Sequence, residues 1–268
     1  MISVSALTSY LYCPRKLYLN YVLGISGFPR KEAVYGTVKH KVIEYVNNQE
    51  QAIVSSVSQG MDDESIGQLY RSAYYNALLS ALDSAKQELK RLKIRKKEVF
   101  DDVWPSIMGE ASLRASNVAS FALKHNVFGA GLWSALTPKY VSEYSVSSSR
   151  LGLTGRIDKV ARHGKKLVPL ELKSGKHPSS GLWPNHRVQL AAYIMMLREK
   201  CPSLSEGYVE YIDSGEKRKL VMNDFMEEEI ISLIGKVKAL FRSKELPPKV
   251  KNEAKCRNCG IREQCSSL

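Results

Sequence analysis

The sequence predicts an α/β fold, a mixed sheet flanked by helices, and three observations point to it. Up to about residue 138, apolar positions recur at the spacings of three and four that make one face of a helix. From 139 onward they alternate, which is the period of a half-buried strand. A single amphipathic segment, NHRVQLAAYIMMLREK, then separates two groups of strand-like runs, as a crossover helix does. Helices preceding the sheet leave α+β as the neighbouring class.

Residues 5–23 read as two short helical turns on either side of Pro14. Residues 30–48 form a helix whose apolar face carries Val34, Val38, Val42 and Tyr45, with His40 on the opposite side. The stretch 62–98 is strongly helical, with Asp62 and Asp63 as capping candidates, and it closes in a basic run. A further helix spans 105–125, with Pro105 in its first turn. Gly129, Gly131 and Pro138 mark a loop. YVSEYSVSS, LGLTGRIDKVARH and KKLVPLELK are three successive strands. A helix after Pro184 takes Asn185 as its N-cap. EGYVEYID and KRKLVMN are two more strands, and an amphipathic helix covers 223–243 before the cysteine-rich tail.

With 268 residues, 44% of them apolar, the chain can bury one large core or two modest ones. No window holds the roughly 18 apolar residues of a membrane span, and the N-terminal segment lacks the form of a signal peptide. Five cysteines, three of them crowded at one end, do not read as a disulfide framework. A reducing cytoplasmic location is therefore expected, with cysteines holding metal. A net charge of +13 favours a polyanionic partner, and nucleic acid is the usual one, against a basic background with no specific partner.

The segment GRIDKVARHGKKLVPLELKSGK carries the chemistry. A two-residue turn at His163-Gly164 would pair 158 with 169. Alternation then puts Asp158, Glu171 and Lys173 on one face, with the two acids as diagonal neighbours about 7–8 Å apart at the backbone. Converging carboxylates can hold one or two hard divalent ions, Mg²⁺ or Mn²⁺, for phosphodiester hydrolysis. Lys173 adds fixed positive charge there. The competing reading is an exposed charge set on an ordinary hairpin, but Glu171 stands where a central strand should be apolar. On the following helix, His186, Gln189 and Tyr193 share one stripe, leaving Leu190, Ala191, Ile194, Met195 and Leu197 for the core. Gln189 and Tyr193 can reach phosphate and base edges.

Asp158, then Glu171-Leu172-Lys173, then Gln189-x-x-x-Tyr193, with Gly36-x-x-x-His40 upstream, resembles the RecB-type branch of the PD-(D/E)XK nucleases. The resemblance implies that His40, Asp158 and Glu171 are metal ligands assisted by the Leu172 carbonyl. It makes Lys173 the catalytic lysine and gives Gln189 and Tyr193 the task of positioning DNA.

Cys256-x2-Cys259-x5-Cys265 places three thiols in one compact stretch, which a metal explains better than free thiols do. Cys13 and Cys201 compete for the fourth position. Cys201 reads as an incidental buried thiol before Pro202. Cys13 precedes Pro14, where a broken helix exposes N–H groups to stabilise sulfur, and is the one expected. This layout resembles the iron–sulfur RecB-like nucleases, in which one upstream cysteine and a C-terminal trio hold a [4Fe–4S] cluster; zinc is the chemical competitor. The cluster is expected to be structural.

Within that group, the CPRKLYL opening resembles the CRISPR-associated exonuclease family, the fourth Cas family, over residues 3–46 and 139–268. The resemblance implies an exonuclease on single-stranded DNA ends, 5′-to-3′, trimming fragments before spacer capture beside the Cas integrase. A RecB-like repair nuclease outside CRISPR and a non-cleaving DNA-end adaptor are the alternatives. The expected organisation is 1–49 with the first cysteine and the His motif, a helical insertion at 50–138, a nuclease core at 139–245 and a cysteine segment at 246–268. The insertion's basic run, Lys90 to Lys97, either tracks DNA or ends a solvated helix. Tyr70, Tyr74 and Tyr75 are expected to pack in a core.

Overall fold

The computed structural model describes residues 1–27 and 29–268. A six-stranded sheet contains β1 (Ile2–Ser3), β2 (Lys139–Ser148), β3 (Leu153–His163), β4 (Lys166–Lys173), β5 (Glu206–Tyr211) and β6 (Glu216–Val221). The strands run in the order β1-β3-β4-β5-β6, and β2 also pairs with β3. Hairpins make β2/β3, β3/β4 and β5/β6 antiparallel. The chain returns through helix α8 (Pro184–Leu197) to lay β5 parallel to β4, so the sheet is mixed as expected. β1 has only two residues, too few to show a period, and it adds parallel to Leu153 and Thr154.

One face of the sheet is covered by α1 (Val4–Tyr12), α2 (Pro14–Tyr21), α8 and α9 (Asp224–Arg242), which share an apolar core with it. The five α8 residues expected in that core are all buried. A second core lies within α3 (Lys31–Ser55), α4 (Asp63–Ser84), α5 (Lys86–Leu92), α6 (Lys96–His125) and α7 (Gly129–Ala135). α3 runs unbroken past residue 50, so it joins the two parts. The cysteine tail carries α10 (Glu253–Arg257) and α11 (Arg262–Ser266). Among the described residues no helix is long and apolar enough to cross a membrane.

Several elements differ from expectation. The 62–98 stretch is broken at Ala85 and again at Lys93, whose left-handed backbone (φ 57) ends α5. The helix expected from 105 begins at Lys96, which leaves Pro105 in its interior. Pro105 is exposed, so the carbonyl deprived of its N–H partner can turn to water. The expected loop at 129–135 is α7, entered by Gly129 at φ 59 with its N–H on the Val57 carbonyl. Trp183, not Asn185, occupies the cap of α8, because Pro184 takes the first helical position. Tyr70 and Tyr74 are buried, whereas Tyr75 is half-exposed and meets Phe100 and Trp104 edge-on.

The β3/β4 turn is Gly164-Lys165, with His163 opposite Lys166, so Pro169 faces Val160 and not Asp158. The shift is by two residues and preserves which side chains share a face. It brings Asp158 level with Glu171 and so removes the diagonal offset.

Candidate functional site

A cleft of about 1060 Å³ opens between α3, the ends of β3 and β4, and α8; His40, Asp158, Leu172, Lys173, Gln189 and Tyr193 all line it. Asp158 stands where the β3/β4 ladder stops. The last pair is Lys159 with Leu170, and beyond it the Leu172 N–H donates to Asp158 Oδ2 at 2.8 Å in place of a strand partner. Asp158 Oδ1 lies 3.4 Å from His40 Nδ1. Burial pushes this carboxyl up, but His40, Lys173 and the Leu172 N–H outweigh burial and hold it below the ordinary value.

Glu171 sits deeper, 2% exposed. Burial and then the neighbouring Asp158 charge push its carboxyl well above the ordinary range, against the pull of Lys173. Lys173 Nζ donates to Glu171 Oε1 at 2.8 Å and to Gln189 Oε1 at 2.9 Å. Glu171 Oε2 is buried and has no hydrogen-bond partner among the described residues. The two acids therefore sit in unlike surroundings, one satisfied on both oxygens and one left with an open lone pair.

α8 serves the site from below. Gln189 fixes Lys173, and the buried Tyr193 donates its hydroxyl to the Arg156 carbonyl at 2.8 Å. Gly155 makes this approach possible, since a Cβ there would fall 2.7 Å from Tyr193 Cε1. His186, the third member of the stripe, faces the Tyr211 hydroxyl at 3.2 Å outside the cleft. Burial and the Lys173 charge lower its pKa to about 4.

The donor set fits a hard divalent cation. An orphaned carboxylate oxygen, buried beside a second carboxylate, lacks the positive partner that such an ion supplies. Among the described residues no three His, Cys, Asp or Glu side chains already converge on one ion. The acids are turned instead toward His40, Lys173 and the backbone.

A second constellation joins the chain ends. Cys13, Cys256, Cys259 and Cys265 line one cavity of about 220 Å³. Cys13 caps α2 and accepts the Lys16 N–H at 3.4 Å. The buried Arg15 donates Nε to Cys265 Sγ at 3.2 Å and a terminal nitrogen to the Pro247 carbonyl. Cationic and N–H donors aimed at two of the sulfurs fit thiolate ligands. Cys201 is elsewhere, 3.4 Å from the Lys165 carbonyl.

The sequence reading did not single out Arg156 or Glu143, both of which line the cleft. Arg156 shares a strand face with Asp158, and that spacing was the available signal.

The family description "PD-(D/E)XK nuclease superfamily" matches residues 1–266. The chain belongs to the PD-(D/E)XK nuclease superfamily. Within it, the similarity is to Cas4-like, RecB-type nucleases. A CRISPR-associated exonuclease Cas4 of Thermoproteus tenax is 31% identical over 129 residues, covering 47% of this chain and 66% of that protein. A Cas4/endonuclease Cas1 fusion of Myxococcus xanthus is 29% identical over 128 residues, 46% of this chain and 22% of the fusion. The helicase/nuclease DNA2 of Gallus gallus is 23% identical over 297 residues, covering 99% of this chain but 28% of that protein. The chain thus spans about a fifth of the Cas4/Cas1 fusion and under a third of DNA2.

Proposed function

We propose that this nuclease is a divalent-metal-dependent DNA exonuclease acting on single-stranded ends, with Asp158, Glu171 and Lys173 as its catalytic residues. The observation that carries the reading is the unpartnered Oε2 of buried Glu171, level with Asp158 and backed by Lys173. Asp158, Glu171, His40 and the Leu172 carbonyl would hold Mn²⁺ or Mg²⁺. Such an ion supplies Lewis-acid charge and makes water a nucleophile at neutral pH. Lys173, clamped by Glu171 and Gln189, presents its ammonium toward the cleft, where negative charge builds on the phosphate oxygens. Tyr193 fixes the β3 backbone beside Asp158, so both α8 residues position the site against which DNA lies. Polarity is proposed as 5′-to-3′ from the family resemblance.

Cys13, Cys256, Cys259 and Cys265 would hold a [4Fe–4S] cluster as a staple between the chain ends. The four cysteines line one cavity, and the iron–sulfur assignment over zinc follows the family resemblance. Fusion of Cas4 to Cas1 in the Myxococcus relative supports trimming of DNA for spacer acquisition beside a Cas integrase. The match to a DNA replication helicase/nuclease, which runs through the helical insertion as well, supports a second reading as a RecB-like nuclease outside CRISPR. The neighbouring genes decide between the two contexts. Cleavage of end-labelled single strands with Mn²⁺, abolished in Asp158→Ala and Lys173→Ala, tests the enzyme reading; undiminished cutting in both variants would overturn the site.

A further inference from the structure

Glu143 lies in the middle of β2 with φ 52, a left-handed backbone where a strand residue is extended. Its neighbours keep their register: Ser142 faces Lys159 and Tyr144 faces Ile157, and Glu143 alone drops out of the ladder, level with Asp158. Among the described residues the other non-glycine residues with positive φ, Lys93 and Asn126, cap helices, where that conformation is usual. Nothing about secondary structure asks for it at Glu143.

What the twist achieves is an ion pair. Glu143 Oε2 meets Arg156 Nε at 2.6 Å, with the Arg156 side chain 68% exposed. An ion pair so open to water stabilises a fold by less than a left-handed glutamate costs it. Strain of this kind persists where it holds a working group. Arg156 is such a group by position. It lies on the same face of β3 as Asp158, it lines the cleft, and Tyr193 pins its carbonyl. Glu143 engages Nε, and among the described residues the guanidinium forms no other ion pair. The terminal nitrogens are thus a pre-oriented fork of the shape that takes phosphate oxygens.

We infer that Arg156 contacts a backbone phosphate of the single strand entering the cleft, and that Glu143 is the positioning residue that holds it there. The inference rests on the nuclease reading above and adds a substrate contact outside the metal site. It is tested by binding of a fluorescein-labelled single-stranded oligonucleotide in EDTA across a salt series, with no cleavage required. Arg156→Gln should weaken binding roughly tenfold and flatten the slope of log affinity against log salt by about 0.7. Arg156→Lys should restore the slope, since the charge returns without the fork. Glu143→Gly should raise the melting temperature by relieving the backbone, yet weaken binding; combined with Arg156→Gln it should weaken binding no further. An unchanged slope in Arg156→Gln would overturn the inference. So would Glu143→Gly strengthening binding beside an intact Arg156, the result of a simple charge effect. A wild-type chain that retains no strand at all would overturn the single-strand reading with it.

Discussion

In Glu171→Gln, a carboxylate that is 2% exposed, with Oε2 unpartnered, is exchanged for an amide of the same shape. The amide oxygen can still accept from Lys173, and the new N–H group can donate toward Asp158, whose charge presses on Glu171 in the wild type. A buried polar group left unsatisfied costs about 1–3 kcal/mol, more if charged, and the lost attraction to Lys173 offsets part of the gain. A net stabilisation of about 1–2 kcal/mol is expected, a rise in Tm of roughly 2–6 °C for a chain of this size. The gain depends on pH with a definite sign. Glu171 titrates higher in the folded chain than in the unfolded one, so the penalty is absent where both are protonated and grows as pH rises above about 4.3. Manganese should reverse the order. A ligand at a hundredfold excess over its Kd adds about 2.7 kcal/mol to a protein that binds it, and the amide variant should gain little. Calorimetry with and without Mn²⁺ reads all of this, with the variant melting above wild type in EDTA and below it in Mn²⁺. A variant that melts lower in EDTA, or gains as much from Mn²⁺ as wild type, would contradict Glu171 as an unsatisfied metal ligand.

His186→Gln should flatten the acid limb of stability. The wild-type histidine titrates at about 4 when folded against about 6.5 when unfolded, so stability falls as pH drops through that window, by about 1–2 kcal/mol once its partial exposure is allowed for; urea titrations at pH 4.5 and 7 measure it. Arg114→Met strands the carboxylate of Glu50, which together with Arg114 is buried between α3 and α6, and should cost about 3–5 kcal/mol. Adding Glu50→Leu should recover most of that in the same denaturation assay. Cys13→Ser should abolish absorbance near ~400 nm in protein purified without oxygen and loosen both chain ends to proteolysis, while Cys201→Ser should change neither.

The site hairpin was legible because period-two alternation survives an error of two residues in the turn. Asp158, Glu171 and Lys173 stayed on one face although the pairing moved from 158/169 to 160/169. The cysteine layout was legible for a different reason: thiols are few, and Cys13 alone precedes a proline that starts a helix within reach of the tail. Long-range burial was not legible. Lys159, 2% exposed, faces Glu110 of α6 and Glu210 of β5, and nothing local in IDKV announces those distant partners. Glu50 and Arg114 are hidden for the same reason, each a charged residue on a helix that reads as amphipathic. Pro105 misled the placement of α6, since a proline in the interior of a helix is tolerated when its side faces water. Glu143 gave no signal at all, because a left-handed backbone at a glutamate has no pattern in sequence.

The catalytic assignment is tested most directly by the rate at which single-stranded DNA ends are lost in Mn²⁺, compared between wild type and Lys173→Met. Lys173 is bound by Glu171 and Gln189 and presents a fixed positive charge beside the two acids. Its loss should lower kcat by about 10²–10³ while the variant still binds the strand in EDTA. Cleavage at the wild-type rate by a folded Lys173→Met protein would contradict the assignment of the site.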